Sequence, residues 1–171
     1  MPAAGSGRAI AGSAVASRGR RRPVRRMIRR FLRLPRGRKL VLVEAIASLA
    51  VARLALLFVP FRTLAAGFGS VGSPLDTPAR PAAPVQLADI QAIGWAVTRA
   101  ARYVPFRAVC LPQAIAAKSM LDRRGIACVM HFGVAKNDDS PLDAHAWLDA
   151  GEIEVTGYPV GPQFVEVARF L

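Results

Sequence analysis

Acidic residues are missing from the start of this chain. Residues 1–39 hold 13 Lys and Arg and no Asp or Glu, whereas residues 40–171 hold 11 basic and 11 acidic residues. The formal net charge of +13 therefore belongs entirely to the leading stretch. The remainder shows no basic patch with interleaved aromatics, which excludes a DNA-binding domain and specific nucleic-acid recognition. A basic stretch of this kind suits an anionic membrane surface, non-specific contact with RNA, or an acidic partner. Cysteine is scarce too: Cys110 and Cys128 are the only two. Two thiols make no disulfide framework, and the expectation is a cytoplasmic protein with reduced cysteines. Histidine is equally scarce, so imidazole chemistry has only His131 and His145 to draw on. No P-loop motif is present, which argues against nucleotide hydrolysis by this chain.

What is there divides into four stretches. Residues 1–35 read as a basic disordered tail, with a short basic helix around Val24–Leu34. Residues 36–66 read as an apolar helical segment, its helix running from about Arg38 to Val59 and stopping before Pro60. Its apolar run, Leu40–Phe61, is 22 residues and long enough to span a bilayer, but it includes Glu44 and Arg53. Each charge costs roughly 2.5–3.5 kcal/mol at a bilayer centre. A helix packed on its own domain or on a partner is the stronger expectation, with membrane association the rival. Residues 67–84 carry three Gly and four Pro and read as a linker.

Residues 85–171 hold the informative pattern. Leu87, Ile90, Gly94, Val97 and Ala101 fall on one helical stripe. "CLPQAIAAKSMLDRRG" reads as a second helix, with Pro112 in its first turn and Gly125 past its end. "IACVMHFGVAK", "LDAHAWLDA", "EIEVTGY" and "FVEVARFL" read as strands, the middle pair joined by a turn at Ala150-Gly151. Two helices followed by antiparallel strands make an α+β fold.

Cys110 opens the second helix, where unpaired N–H groups and the positive end of the helix dipole favour an anion. The same N–H groups, that of Cys110 included, can hold the oxyanion of a tetrahedral intermediate. Cys128 reads as an inert core thiol between Ala127 and Val129. His145 shares a strand face with Asp143, Trp147 and Asp149. A cysteine nucleophile and a histidine base from distant parts of the chain are the parts needed for acyl transfer. A metal site is not expected, because Cys128 and His131 point to opposite faces of one strand.

The run "CLPQAIAAKSMLDRRGIACVMHFGVAKNDDSPLDAHAWLDAGEIEVTG" resembles the transglutaminase-like cysteine peptidase core of lasso peptide maturation proteins, the microcin-processing type. The helix start "CLP", the helix end "RRG", the strand "GV" and the strand "AHAW" follow in that family's order, and the likeness covers roughly Val85–Leu171. The apolar helix led by arginines is similar to the one these proteins carry before the core. The resemblance implies a transglutaminase/papain-like core with helices on a small antiparallel sheet. It implies a leader peptidase with Cys110 as nucleophile and His145 as general base, and no cofactor. It implies three partners: a precursor peptide, a leader-binding protein and an asparagine-synthetase-like cyclase.

The family pattern asks for an acid to orient the imidazole. With the turn at Ala150-Gly151, His145 would face Thr156, with Gly157 next, and neither is acidic. Asp149 matches the acid that often follows "HAW" but lies about 13 Å along the strand at ideal rise. Asp143 is nearer on the same face, and Asp143 or a main-chain carbonyl is expected before Asp149. The rival reading is a catalytically inactive transglutaminase-like scaffold within the maturation complex.

Overall fold

The computed structural model describes residues 31–69, 71–72, 84–137 and 140–171. Most of the basic tail and residues 73–83 of the expected linker lie outside the described residues. Leu34–Leu171 forms one compact unit.

The first long helix, α1 (Arg36–Phe58), starts after Pro35, and the chain is already extended at Val59 before Pro60. Proline suits a helix start and bars the residue before it from continuing a helix. A one-turn helix, α2 (Phe61–Ala66), follows, then the two-residue strand β1 (Val71–Gly72). Next come α3 (Pro84–Ala101) and α4 (Cys110–Asp122). Four strands complete the fold: β2 (Val129–Asn137), β3 (Ser140–Ala150), β4 (Ile153–Thr156) and β5 (Val165–Phe170). The sheet is antiparallel, in the order β1-β5-β2-β3-β4. The architecture is α+β, with helices packed on one face of a small sheet.

One apolar core joins all these layers. α1 contributes Ala45, Leu49 and Ala52; α3 contributes Ile90, Ile93 and Val97; α4 contributes Ala114, Ala117, Met120 and Leu121. The sheet answers with Met130, Ala146, Leu148, Val155 and Phe170. Small residues let the elements approach closely: a Cβ on Gly94 of α3 would lie 2.9 Å from the Val155 carbonyl oxygen. Leu87, expected on the buried stripe of α3, is exposed, because Ile93 and Ala96 turn inward beside Ile90 and Val97. Phe61 meets Phe132 edge-on, Phe132 meets Phe170, and Phe170 meets Phe68. These contacts tie the segment after α1 to the sheet. Glu44 of α1 also binds Arg123 and Arg124 at the end of α4, with shortest distances of 2.9 and 2.6 Å.

Two details correct the sequence reading. Cys128 precedes β2 rather than lying inside it. The β3–β4 turn is Gly151-Glu152, with Ala150 opposite Ile153, and the register slips between Leu148 and Asp149. Leu148, not His145, therefore stands opposite Thr156. A bulge inserts one unpaired residue and shifts every later partner, which alternation alone cannot reveal.

Candidate active site

Cys110 is the first residue of α4 and is partly exposed. The residue before it, Val109, has no side chain able to cap the helix, and Pro112 has no N–H at all. Among the described residues, the N–H groups of Cys110 and Leu111 donate to no other backbone group. The Gln113 amide donates to the Ala108 carbonyl at 2.7 Å and fixes the loop that leads into the helix. The start of α4 thus has no side-chain cap, carries a thiol, and leaves the N–H groups of Cys110 and Leu111 without a backbone acceptor among the described residues.

Cys128 has the opposite surroundings. It is 4% exposed, and its S–H lies 3.7 Å from Asp122 Oδ1. Burial pushes this thiol up to about 12, partly opposed by the Lys118 ammonium and reinforced by Asp122. A buried thiol that keeps its proton is a poor nucleophile.

β3 alternates as a strand must. Ala146 and Leu148 enter the core shared with α4. His145, Trp147 and Asp149 stand on the other face. His145 Nε2 lies 2.6 Å from the Gly157 carbonyl oxygen. A carbonyl can only accept, so Nε2 is the donor, and Nδ1 has no hydrogen-bond partner among the described residues. Trp147 and Phe164 flank the ring at 6.0 and 5.1 Å between centroids. Gly157 can approach this closely only as glycine: its φ is +87°, and a Cβ there would lie 2.5 Å from the Ala146 carbonyl oxygen. Neither Asp143 nor Asp149 holds the His145 ring. Asp143 is exposed, and Asp149 is engaged by Tyr158 and His131.

His131 has a different role. Its Nε2 faces Asp149 Oδ2 at 3.1 Å and its Nδ1 faces Glu166 Oε1 at 2.9 Å. Both partners accept, so the ring needs both protons. Burial alone would lower its pKa, but the hydrogen bonds it donates to Asp149 and Glu166 outweigh it and raise the value above 6.5. Burial likewise opposes ionisation of Glu166, yet Arg169 and His131 hold that carboxyl below its ordinary range. Trp147 stacks flat on His131 at 5.3 Å. The two histidines are therefore distinct: both nitrogens of His131 face carboxylates, while His145 has one nitrogen on a main-chain carbonyl and no carboxylate partner among the described residues.

α4 ends beside the start of β2, with Cys128 Sγ 3.7 Å from Asp122 Oδ1, and the start of β2 pairs with the end of β3, Val129 with Asp149. Gly133 of β2 pairs with His145. Among the described residues no hydrogen bond joins Cys110 to His145, and no group of three or more His, Cys, Asp and Glu is arranged to hold a metal.

A helix-start cysteine followed by a strand histidine, on helices laid over an antiparallel sheet, is a transglutaminase-like arrangement. The profile of the Transglutaminase-like superfamily matches residues 55–169. The chain belongs to this superfamily. No curated protein and no solved structure matches the chain. The superfamily includes cysteine peptidases, and the matched span takes in the end of α1, both cysteines and both histidines. In this transglutaminase-like fold Gly157 and Phe164 meet His145, Glu166 meets His131, and Tyr158 donates to Asp149 beside His131. Only Gly157 gave any sequence signal, as the residue after Thr156 in "EIEVTGY". Tyr158 follows it directly, and Phe164 and Glu166 open the run "FVEVARFL", but no spacing ties these three to the histidines.

Proposed function

We propose that this transglutaminase-like protein is a thiol peptidase that removes the leader from a ribosomally made lasso peptide precursor. Cys110 is the nucleophile and His145 the general base. One observation carries the choice of base: His145 gives its Nε2 proton to Gly157 and keeps Nδ1 as an acceptor, whereas His131 spends both nitrogens on carboxylates. Nδ1 takes the proton from the Cys110 thiol, and the thiolate sulfur attacks the scissile carbonyl carbon. The oxyanion that forms meets the unspent N–H groups of the first turn of α4, that of Cys110 among them. Collapse breaks the C–N bond, and the imidazolium returns its proton to the leaving amine. The leader remains as a thioester on Cys110 until water, deprotonated by the same imidazole, releases it. The amine set free is the group that a separate cyclase joins to an Asp or Glu side chain.

The precursor peptide, the leader-binding protein, the asparagine-synthetase-like cyclase and a cytoplasmic setting belong to this proposal through the family resemblance of the "CLP…RRG…GV…AHAW" series. The test is precursor cleavage with the leader-binding protein present. Cys110→Ala abolishes cleavage while the protein melts as before, and Cys128→Ala leaves cleavage standing. Undiminished cleavage by Cys110→Ala overturns the assignment. A second reading, an inactive scaffold of the same complex, draws on the absence of a carboxylate at the His145 ring among the described residues. It requires that wild-type protein cleave no precursor at all.

A further inference from the structure

The outward face of α1 is apolar without interruption. From Leu40 to Phe58 every exposed residue is apolar. The most prominent are Leu40, Val43, Val51, Leu54, Leu57 and Phe58, each between 53% and 80% exposed. At 100° per residue these six fall within an arc of roughly 120°, opposite the buried Ala45, Leu49 and Ala52. A surface helix in water carries polar residues on that arc, and a continuous apolar face marks a contact with something apolar.

Charge identifies the contact. Arg36 is exposed at the start of α1 and Arg62 just beyond its end. Residues 1–39, the chain leading into α1 together with its first turn, hold 13 Lys and Arg and no acid. We infer that α1 lies in the plane of an anionic lipid bilayer, with its apolar arc in the acyl boundary and the basic residues on lipid phosphates. A lipid surface meets both demands at once: apolar depth along a helix about 35 Å long, and negative charge at its rim. A second copy of the chain does not, because each would bring its own basic stretch to the same contact.

Length alone would let these 23 residues cross a membrane. Packing decides against crossing. Ala45, Leu49 and Ala52 are buried in the core shared with α3, α4 and the sheet, and Glu44 is bound by two arginines. A spanning α1 would have to abandon both. The inference rests on the exposed arc and the charge around it, and it stands apart from the chemistry assigned to Cys110.

Flotation of the full chain with phospholipid vesicles tests it. The chain floats with vesicles containing about one quarter phosphatidylglycerol, and binds about tenfold more weakly to pure phosphatidylcholine or in about 0.5 M NaCl. The double variant Val51→Glu, Leu54→Glu alters only exposed positions, so it melts like wild type but partitions at least about tenfold more weakly. Equal binding by the double variant would show that the basic stretch acts alone and would overturn the inference. So would failure of wild type to float, a lipid-free dimer that the double variant dissolves, or protein that resists an alkaline carbonate wash.

Discussion

Replacing Glu44 by Gln removes the charge that ties α1 to the end of α4. The Glu44 carboxylate receives Arg124 Nη1 and Nη2 at 3.0 and 2.6 Å and Arg123 Nη2 at 2.9 Å. The Arg124 hydrogen bonds are the largest influence; burial opposes them, Arg123 adds to them, and the net effect lowers the carboxyl from 4.5 to about 2. A shift of that size corresponds to roughly 3 kcal/mol between protonation states. The Glu44 side chain is 29% exposed and that of Arg123 50%, so solvent screens the attraction. About 1–2 kcal/mol is the realistic contribution. The folded value lies below the unfolded one, so this stability is fully present above about pH 4.5 and is lost as pH falls toward about 2. Glu44→Gln should therefore melt roughly 2–8 °C below wild type at neutral pH. The gap should close on acidification, as followed by circular dichroism. Equal melting temperatures at neutral pH, or a gap unchanged near pH 2, would refute the clamp and with it the argument that α1 stays on the domain.

Three further outcomes follow from the site. Brief iodoacetamide treatment of native protein near pH 8 should label Cys110 and leave Cys128 unlabelled until the protein is denatured, because burial holds the Cys128 thiol up to about 12; mass spectrometry showing equal labelling contradicts this. Gly157→Ala forces a Cβ to within 2.7 Å of Trp147 Cα at a positive φ. It should cost about 2–4 kcal/mol and displace the acceptor of His145, lowering both melting temperature and turnover; a variant that melts and turns over like wild type would remove Gly157 from the site. His131, with its folded pKa raised, contributes stability that is complete below about pH 6.5 and is lost as pH rises through the folded value. Wild-type melting should decline across that rise, and His131→Gln should melt lower in mild acid without showing the decline.

The helices were legible because proline and helix-favouring sequence mark their ends: Pro35 and Pro60 bracket α1, and Pro112 sits in the first turn of α4. The strands were legible from their β-branched and alternating residues. The β3–β4 register was not, since a slip after Leu148 leaves no trace in alternation. The ionic cluster around His131 joins residues up to 35 positions apart, as His131 to Glu166, which only the strand order β5-β2-β3 brings together. The orienting partner of His145 is a main-chain carbonyl, a group every residue possesses, so no residue type could advertise it. The Leu40–Phe61 run is interrupted only by Glu44, Ser48 and Arg53, which mark no clear polar face. Only the structure separates a buried stripe of Ala45, Leu49 and Ala52 from an exposed one.

The pairing of Cys110 with His145 is tested most directly by the alkylation rate of Cys110 in wild type and in His145→Ala, followed by mass spectrometry from about pH 5 to 9. If Nδ1 of His145 accepts the thiol proton, wild type reacts at least about tenfold faster than the variant near pH 6, and the two converge at high pH. Identical rates across the whole range would contradict the pair and leave Cys110 an ordinary thiol at a helix start.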